Sequence, residues 1–187
     1  FQVPMGGYNP SFHPGLNNMD YYIGMGQTAE NLASKGSISR EEQDKFAMNS
    51  HEKALKAQAE NWLVNEIHPI TLADGSSAST DEYPRTPNPE KIASLKPAFD
   101  TNGTITAATS SPITIGAAFL LLSSASAAEK QGLKPRARIK SMAVAGCNWK
   151  TMGEGPLPAS KKALDRAGIS MSDIDAIELN EAFAAQS

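Results

Sequence analysis

Residues 174–179 are Ile174-Asp175-Ala176-Ile177-Glu178-Leu179, and Asn180-Glu181-Ala182-Phe183 follow them directly. The apolar run predicts a strand, and the residues after it predict the start of a helix. Groups that handle ligands in α/β proteins lie where a strand ends and a helix begins. Asn180 and Glu181 are therefore candidate site residues.

Helices and strands alternate before this junction. The sequence predicts a nearly all-apolar, buried helix over Gly116–Glu129 and a strand over Arg136–Val144. A further helix follows Pro156-Leu157-Pro158, ends near Arg166 and is terminated by Gly168. Together with the junction these elements give the order helix, strand, helix, strand, helix. That order is typical of a layered α/β fold.

The amino-terminal part begins with an irregular segment, because residues 1–22 are rich in Gly, Pro and aromatic residues. This segment is expected to pack over a surface, either as a plain covering loop or as a loop that covers a ligand. A helix is predicted from Met25 to Lys35. A capping box of Ser39 and Glu42 predicts the start of a long helix that continues to about Asn61.

Three features of the middle of the chain bear on function. His51 lies in the long helix without an evident partner, so we interpret it as structural. Arg85 lies in a polar loop and is a candidate anion contact. Residues 104–111, apart from Ile105, are small or hydroxylated, which is typical either of close backbone approach to a ligand or of a tight packing junction.

Composition excludes several function classes. The 187 residues carry a net charge of −3 without a basic tract, which argues against nucleic-acid or membrane-surface binding. The longest apolar run is far shorter than the ~20 residues that span a bilayer.

Cys147 is the only cysteine, so an internal disulfide is impossible, and a cytoplasmic location is expected. No metal-ligand, P-loop or nucleophile-elbow motif is present. The pattern at Cys147 itself favours a small buried apolar group over a nucleophile, because no His or basic residue lies near it in sequence.

Both ends of the sequence suggest a segment of a longer protein. The chain begins at Phe1 without an initiator Met, and Ser187 falls within the first turn of a predicted helix.

Seven separated stretches resemble the thiolase family, and most closely its degradative members, the 3-ketoacyl-CoA thiolases. They occur in collinear order, and the resemblance covers essentially the whole chain. The stretches are Phe12-His13-Pro14-Gly15-Leu16, Met25-Gly26-Gln27-Thr28-Ala29-Glu30-Asn31, Ile38-Ser39-Arg40-Glu41-Glu42-Gln43-Asp44, Leu95-Lys96-Pro97-Ala98-Phe99-Asp100, Gly132-Leu133-Lys134-Pro135-Arg136-Ala137-Arg138, Met152-Gly153-Glu154-Gly155-Pro156-Leu157-Pro158-Ala159-Ser160 and Asn180-Glu181-Ala182-Phe183.

The resemblance implies an acyltransferase that cleaves 3-ketoacyl-CoA with CoA to acetyl-CoA and a shortened acyl-CoA, through a covalent acyl-cysteine. It implies no permanently bound cofactor, with coenzyme A as co-substrate. It also implies a homodimer or higher oligomer, to which the degradative type often adds a multifunctional fatty-acid-oxidation subunit. The implied fold is a layered α-β-α-β-α core with an inserted loop domain. On this pattern residues 1–113 would be most of the loop domain, 114–134 the end of the first half, and 135–187 the start of the second half.

The resemblance also implies roles for single residues. Asn180 corresponds to the asparagine that holds a water, which forms an oxyanion hole together with a histidine. The implied binding residues, grouped by the part of the substrate that they contact, are Leu16, Met25 and Phe99 at the pantetheine and acyl thioester, Ala107 and Ser111 at the pantetheine amides, Arg85 at the adenosine end, and Phe183 at the acyl pocket.

The chain departs from the family at several places. Ala108 stands where a Gly is usual, and Thr114-Ile115 stand where the family has a polar residue followed by Asp, which weakens the assignment of Ser111. The nucleophilic cysteine would lie upstream, and the catalytic histidine and second cysteine downstream; Cys147 occupies neither cysteine's place. The chain alone is therefore expected to be inactive. A non-catalytic thiolase-like module for CoA binding or assembly remains the alternative, and a generic α/β domain with coincidental matches is a third.

Overall fold

The computed structural model describes residues 13–19 and 21–187. The irregular segment predicted for residues 1–22 therefore lies mostly outside the described residues. The α-helices are α1 (Pro14–Asn17), α2 (Met25–Gly36), α3 (Arg40–Ala59), α4 (Pro89–Ala93), α5 (Ala125–Lys130) and α6 (Pro156–Ala167). Two 3-10 helices span Trp149–Glu154 and Met171–Asp173, and a small antiparallel hairpin pairs β1 (Ile70–Thr71) with β2 (Ser77–Ala78).

Local signals in the sequence determine where α3 begins and where α6 ends. The predicted capping box opens α3: the Ser39 hydroxyl accepts a hydrogen bond from the Glu42 amide, and the Glu42 carboxylate accepts one from the Ser39 amide. Gly168 closes α6 in the left-handed conformation, with φ of 67°, which a glycine adopts without steric cost. These predictions are confirmed.

A small core joins α2 to two loops. Ala29 and Ala33 of α2 pack against Ile105 and Ala185, which are all buried, and the Phe183 ring lies against them. Alanines leave room for the loop backbones to approach the helix closely. The core therefore brings the segment around Ile105 and the segment around Ala185 to the same face of α2.

The Glu30 carboxylate fixes the first of these loops. Its oxygens accept hydrogen bonds from the Thr104 amide at 2.9 Å and from the Ile105 amide at 2.9 Å. A Cβ at Gly103 would lie 2.1 Å from Glu30 Oε1, so only glycine fits there. The second half of the chain contacts α2 through the 3-10 helix Trp149–Glu154, where the Asn31 side chain donates to the Lys150 carbonyl at 2.8 Å.

Four predictions about helices and strands are wrong in the structure. The helix predicted to start after Leu179 is absent, and residues 180–187 form a bridge at Phe183 and a turn instead. Helix is present only at Ala125–Lys130 instead of Gly116–Glu129, and the predicted burial fails, since Phe119 is 92% exposed. Residues 136–144 and 174–179 are irregular, with bends at Arg136 and Asp175, and form no strand. A strand is stabilised by hydrogen bonds to a neighbouring strand, and the described residues provide no such partner for either segment. An apolar helix likewise needs an apolar surface to cover it.

In the described part of the chain, no helix combines the length and the apolar character that crossing a membrane requires.

Candidate functional site

A cleft of about 440 Å³ lies between helix α3 and two loop segments. Ser50 and His51 of α3 form one wall. Residues 108–112 form the second wall, and residues 178–181 form the third. The cleft therefore contains the predicted site residues Ser111 and Asn180, which lie 69 positions apart in the sequence.

A short antiparallel bridge holds the two loop walls together. Ser110 and Phe183 are paired, the Ser111 amide donates to the Ala182 carbonyl at 2.9 Å, and the Ala184 amide donates to the Thr109 carbonyl at 2.9 Å. Because two backbone hydrogen bonds join these segments, the bridge fixes the distance between the 108–112 wall and the Asn180 wall.

The hydroxylated stretch 104–111 is mainly a packing junction, one of the two interpretations left open by its sequence. Thr106 and Thr109 are buried, and the Thr106 amide donates to the Thr109 hydroxyl at 2.9 Å. The Ser110 hydroxyl donates to the Thr106 carbonyl at 2.7 Å. Ala107 and Ser111 are exposed instead, so these two positions remain accessible to a ligand.

The α3 wall is tied to the Asn180 wall through Glu181. The Ser50 hydroxyl donates to the Glu181 carboxylate at 2.5 Å. Glu178 also lines the cleft, so the site carries two carboxylates near Asn180. The cleft itself is therefore a poor environment for a phosphate.

His51 contacts the polar loop, which contradicts its interpretation as a residue without a partner. Its Nδ1 accepts a hydrogen bond from the Arg85 amide at 3.3 Å, and its ring lies 5.8 Å from the Tyr83 ring, tilted by 30°. The Arg85 guanidinium lies over the same Tyr83 ring, 4.6 Å from its centroid, a cation–π distance. Partial burial, and then the positive charge of Arg85, lower the pKa of His51, while Glu181 opposes the shift.

An aromatic pair lies on the other side of the bridge. The rings of Phe99 and Phe183 meet edge to face, with centroids 5.9 Å apart and planes at 82°. Phe99 also covers Gly26 of α2 so closely that a Cβ there would lie 2.1 Å from Phe99 Cγ. Met25, which precedes Gly26 in α2, is half exposed.

The structure thus brings most of the predicted site residues into two neighbouring groups. Ser111 and Asn180 line the cleft, Arg85 follows the cleft residues Tyr83 and Pro84, and Ala107 precedes the cleft residue Ala108. Phe99 and Phe183 form the second group, and Met25 precedes Gly26, which the Phe99 ring covers. Leu16 belongs to neither group; it is half-buried on α1, where its carbonyl accepts from the Met19 and Tyr21 amides.

Cys147 is exposed, which contradicts the expectation of a small buried apolar group. Its thiol donates to the Met152 carbonyl at 3.5 Å in the turn that precedes α6. It is not among the described residues that line the cleft. Within residues 13–19 and 21–187, no cluster of three or more His, Cys, Asp or Glu side chains is arranged to hold a metal ion.

Two family models match the sequence of this chain. The thiolase N-terminal domain matches residues 8–126, and the thiolase C-terminal domain matches residues 133–187. The chain belongs to the thiolase family.

Two solved structures share the thiolase fold with it. The acetyl-CoA acetyltransferase of Bacillus anthracis gives a TM-score of 0.84 at 46% identity, over 88% of this chain and 43% of that one. The acetyl-CoA acetyltransferase of Syntrophomonas wolfei gives 0.81 at 34% identity, over 100% of this chain and 50% of that one.

Similar sequences include thiolases of several bacteria. The 3-ketoacyl-CoA thiolase of Serratia proteamaculans is 50% identical over 99% of this chain and 50% of that protein. The 3-ketoacyl-CoA thiolase of Shewanella loihica is 49% identical over the same shares. The chain therefore spans about half the length of these thiolase relatives.

Sequence reasoning missed Ser50, His51 and Tyr83 as parts of the thiolase cleft. Their partners are distant in the sequence: Glu181 lies 131 positions from Ser50, and Arg85 lies 34 positions from His51. The sequence offered one signal, which is helical spacing. Ser50 and His51 lie about one helical turn beyond Phe46 and Ala47 and therefore on the same face of α3, and Phe46 and Ala47 also line the cleft.

Proposed function

We propose that the chain is the segment of a 3-ketoacyl-CoA thiolase that carries most of the substrate-binding surface and one catalytic group. The whole protein would cleave 3-ketoacyl-CoA with CoA, as in fatty acid β-oxidation, to acetyl-CoA and a shortened acyl-CoA. The observation that carries this proposal is the cleft. Asn180 and Ser111 lie in its two loop walls, which the Ser110–Phe183 bridge holds together. The names of the thiolase relatives from Serratia and Shewanella support the same substrate class.

Asn180 is proposed as the catalytic residue. Its side chain is exposed in the cleft, so it can hold a water molecule beside a reacting carbonyl. That water and a histidine outside residues 1–187 would form an oxyanion hole, which lowers the energy of negative charge that develops on the substrate oxygen.

The remaining predicted residues are proposed to bind the CoA ester along its length. Phosphates are expected at the Arg85 edge and not inside the cleft, because Glu178 and Glu181 line the cleft and like charges repel. The proposed contacts, ordered from the nucleotide end to the acyl end, are Arg85 with the adenosine end, Ala107 and Ser111 with the pantetheine amides, Leu16, Met25 and Phe99 with the pantetheine and thioester, and Phe183 with the acyl chain.

The proposed chemistry needs groups that the cleft does not supply. A cysteine thiolate attacks the keto carbon, and the bond between this carbon and the α-carbon breaks. The electron pair stays on the α-carbon, which takes a proton from a second cysteine and leaves as acetyl-CoA. The thiol of a second CoA then displaces the acyl group from the enzyme cysteine. Cys147 is exposed outside the cleft, so both cysteines are proposed to come from polypeptide outside residues 1–187.

The proposal includes the assembly and the division of the chain. The whole thiolase would form a homodimer or higher oligomer, with a multifunctional β-oxidation subunit as a candidate partner, and would hold no permanent cofactor. Residues 1–113 would form the loop domain, 114–134 the end of the first half, and 135–187 the start of the second.

Activity measurements on the whole gene product test the role of Asn180. Replacing Asn180 with Ala is expected to lower kcat for acetoacetyl-CoA cleavage by about 10²–10³, the effect of losing one oxyanion-hole donor. Asn49→Ala is a matched control, since Asn49 is exposed on α3 and does not line the cleft. Unchanged kcat in Asn180→Ala would remove Asn180 from the mechanism.

The alternative function is a thiolase-like module that binds CoA or a partner without chemistry. The position of Cys147 outside the cleft favours it, because the described cleft offers no nucleophilic cysteine. In both cases the 187-residue chain should bind CoA without cleaving acetoacetyl-CoA. A whole gene product that binds CoA but has no cleavage activity would support the module, and robust cleavage by the 187-residue chain would contradict both functions.

A further inference from the structure

The contact between His51 and the polar loop connects the cleft to Arg85. His51 lies on α3 at the cleft wall, and Arg85 lies in the loop between β2 and α4, directly after the cleft residues Tyr83 and Pro84. Three interactions meet there: the Arg85 amide donates to His51 Nδ1, the Tyr83 ring lies beside the His51 ring, and the Arg85 guanidinium lies over the Tyr83 ring. The loop backbone at Arg85 is therefore anchored on one imidazole nitrogen.

This anchor requires the neutral imidazole. A ring nitrogen accepts a hydrogen bond only through a free lone pair, and in the imidazolium ion both nitrogens carry protons. Protonation of Nδ1 would turn the acceptor into a donor that faces the N–H of Arg85. The hydrogen bond would then be lost, and two donors would point at each other.

The charges around the ring set the direction of its titration. Arg85 on the loop disfavours the imidazolium ion, and Glu181 on the opposite wall favours it; the Tyr83 phenol is the third titratable group beside the ring. Partial desolvation is the largest effect and, with Arg85, lowers the pKa of His51 below its ordinary value of 6.5. The neutral form is therefore kept over a wider pH range in the folded protein than in the unfolded chain.

We propose that His51 is a positioning residue whose neutral ring holds the Tyr83–Arg85 segment of the loop against α3 and so fixes the Arg85 guanidinium at the edge of the cleft, and whose protonation releases that segment. This role deepens the proposed function and rests on it in one respect, namely that Arg85 meets the anionic end of CoA. The anchor contributes stability in full above pH 6.5, and this contribution is lost as the pH falls through the lowered pKa of the folded state.

Hydrogen exchange of the 187-residue chain tests the anchor without any ligand. Pro84, Pro87 and Pro89 have no amide, so a peptide covering residues 81–89 has six amide positions, of which Arg85 is one. His51→Ala should speed exchange in this peptide about three- to tenfold, the effect of losing one neutral hydrogen bond. His51→Asn should restore protection, since an Asn Oδ1 can take the place of Nδ1 as acceptor and does not titrate. The ratio of protection in the original chain to that in His51→Asn should fall as the pH drops below 6.5.

Binding of CoA, measured by calorimetry on the same chains, tests the link to Arg85. Phosphate groups of CoA titrate as well, so affinities are compared between the original chain and His51→Asn at each pH. The original chain should lose affinity relative to His51→Asn under acidic conditions, and His51→Ala should bind CoA more weakly at every pH. Equal exchange in His51→Ala and the original chain would overturn the positioning role. Faster exchange with unchanged CoA affinity would support that role and overturn the proposed contact between Arg85 and CoA.

Discussion

Gly26 shows how a single missing side chain shapes the aromatic part of the site. The Phe99 ring covers the Gly26 position, and three of its carbons would lie within 2.4 Å of an added Cβ. Phe99 in turn meets Phe183 edge to face. The absence of a side chain at position 26 therefore leaves the space in which the Phe99 ring lies and meets Phe183.

Replacing Gly26 with Ala is expected to destabilise the chain. The nearest atom is Phe99 Cγ, close to the backbone, so the whole ring must leave its position. Overpacking of this kind costs about 1–3 kcal/mol, which exceeds the gain in helix propensity of at most ~1 kcal/mol. Urea denaturation should show a net loss of stability in this variant.

Gly146→Ala is the matched control, because a Cβ at Gly146 would meet no atom within 4 Å. Its free energy of unfolding should stay within about 0.5 kcal/mol of the original chain. An equal loss in both variants would show that the Phe99 contact is not the cause.

Single residues also mark the limit of what the sequence could predict about the site. The apolar run before Asn180 predicts a candidate site residue there, the resemblance to the family adds its role and predicts Ser111, and both residues lie in the cleft. The pattern around His51 gave no hint of its partners, because a hydrogen bond to a loop 34 positions away leaves no local trace in a helix. Residue type and spacing predict neighbours within one element but not neighbours across the fold.

Elements with local signals were predicted well, and α3 is the best example. Both hydrogen bonds of its capping box lie within four residues, Ser39 to Glu42. The irregular segments 136–144 and 174–179 are the opposite case. Their alternating or apolar patterns are typical of strands, but a strand exists only with a partner, and the pattern carries no information on whether one is present.

Removing the cap of α3 tests the element directly. Ser39→Ala should cost about 1 kcal/mol of stability, the usual effect of losing an N-cap hydroxyl. Hydrogen bonds from the Ser39 amide, and then from its hydroxyl, lower the pKa of Glu42 below 4.5. Their contribution is complete above that pH and is lost as the pH falls through the lowered pKa. The difference between the two chains in urea denaturation should therefore shrink in acid.

Glu42→Gln separates the two effects, because glutamine can still accept at the cap but does not titrate. The stability difference between this variant and the original chain should vary with pH only below about pH 4.5. Nuclear magnetic resonance titration of Glu42 should show its pKa moving towards the ordinary value in Ser39→Ala. An unmoved pKa would mean that the Ser39 hydroxyl does not stabilise the carboxylate.

At the scale of the whole molecule, the chain exposes more surface than a compact protein of its mass. Its accessible surface is 15083 Å², whereas a compact monomer of 19.8 kDa exposes about 8,600 Å². Part of the exposed surface is apolar. Ile113, Ile115 and four consecutive residues, Phe119, Leu120, Leu121 and Leu122, are each at least 72% exposed. Burying such surface is favourable by about 25 cal/mol per Å², and large exposed apolar patches mark interaction surfaces.

The isolated 187-residue chain is therefore expected to self-associate through residues 113–122. Sedimentation velocity should show species larger than a 19.8-kDa monomer. Replacing Leu120 and Leu122 together with Asp should shift the distribution towards the monomer, because two charges would have to be desolvated in any apolar contact. Ser79→Asp with Thr80→Asp adds the same charge in an exposed polar loop and should leave the distribution unchanged. If the original chain sediments as a single monomeric species, this apolar segment does not drive association.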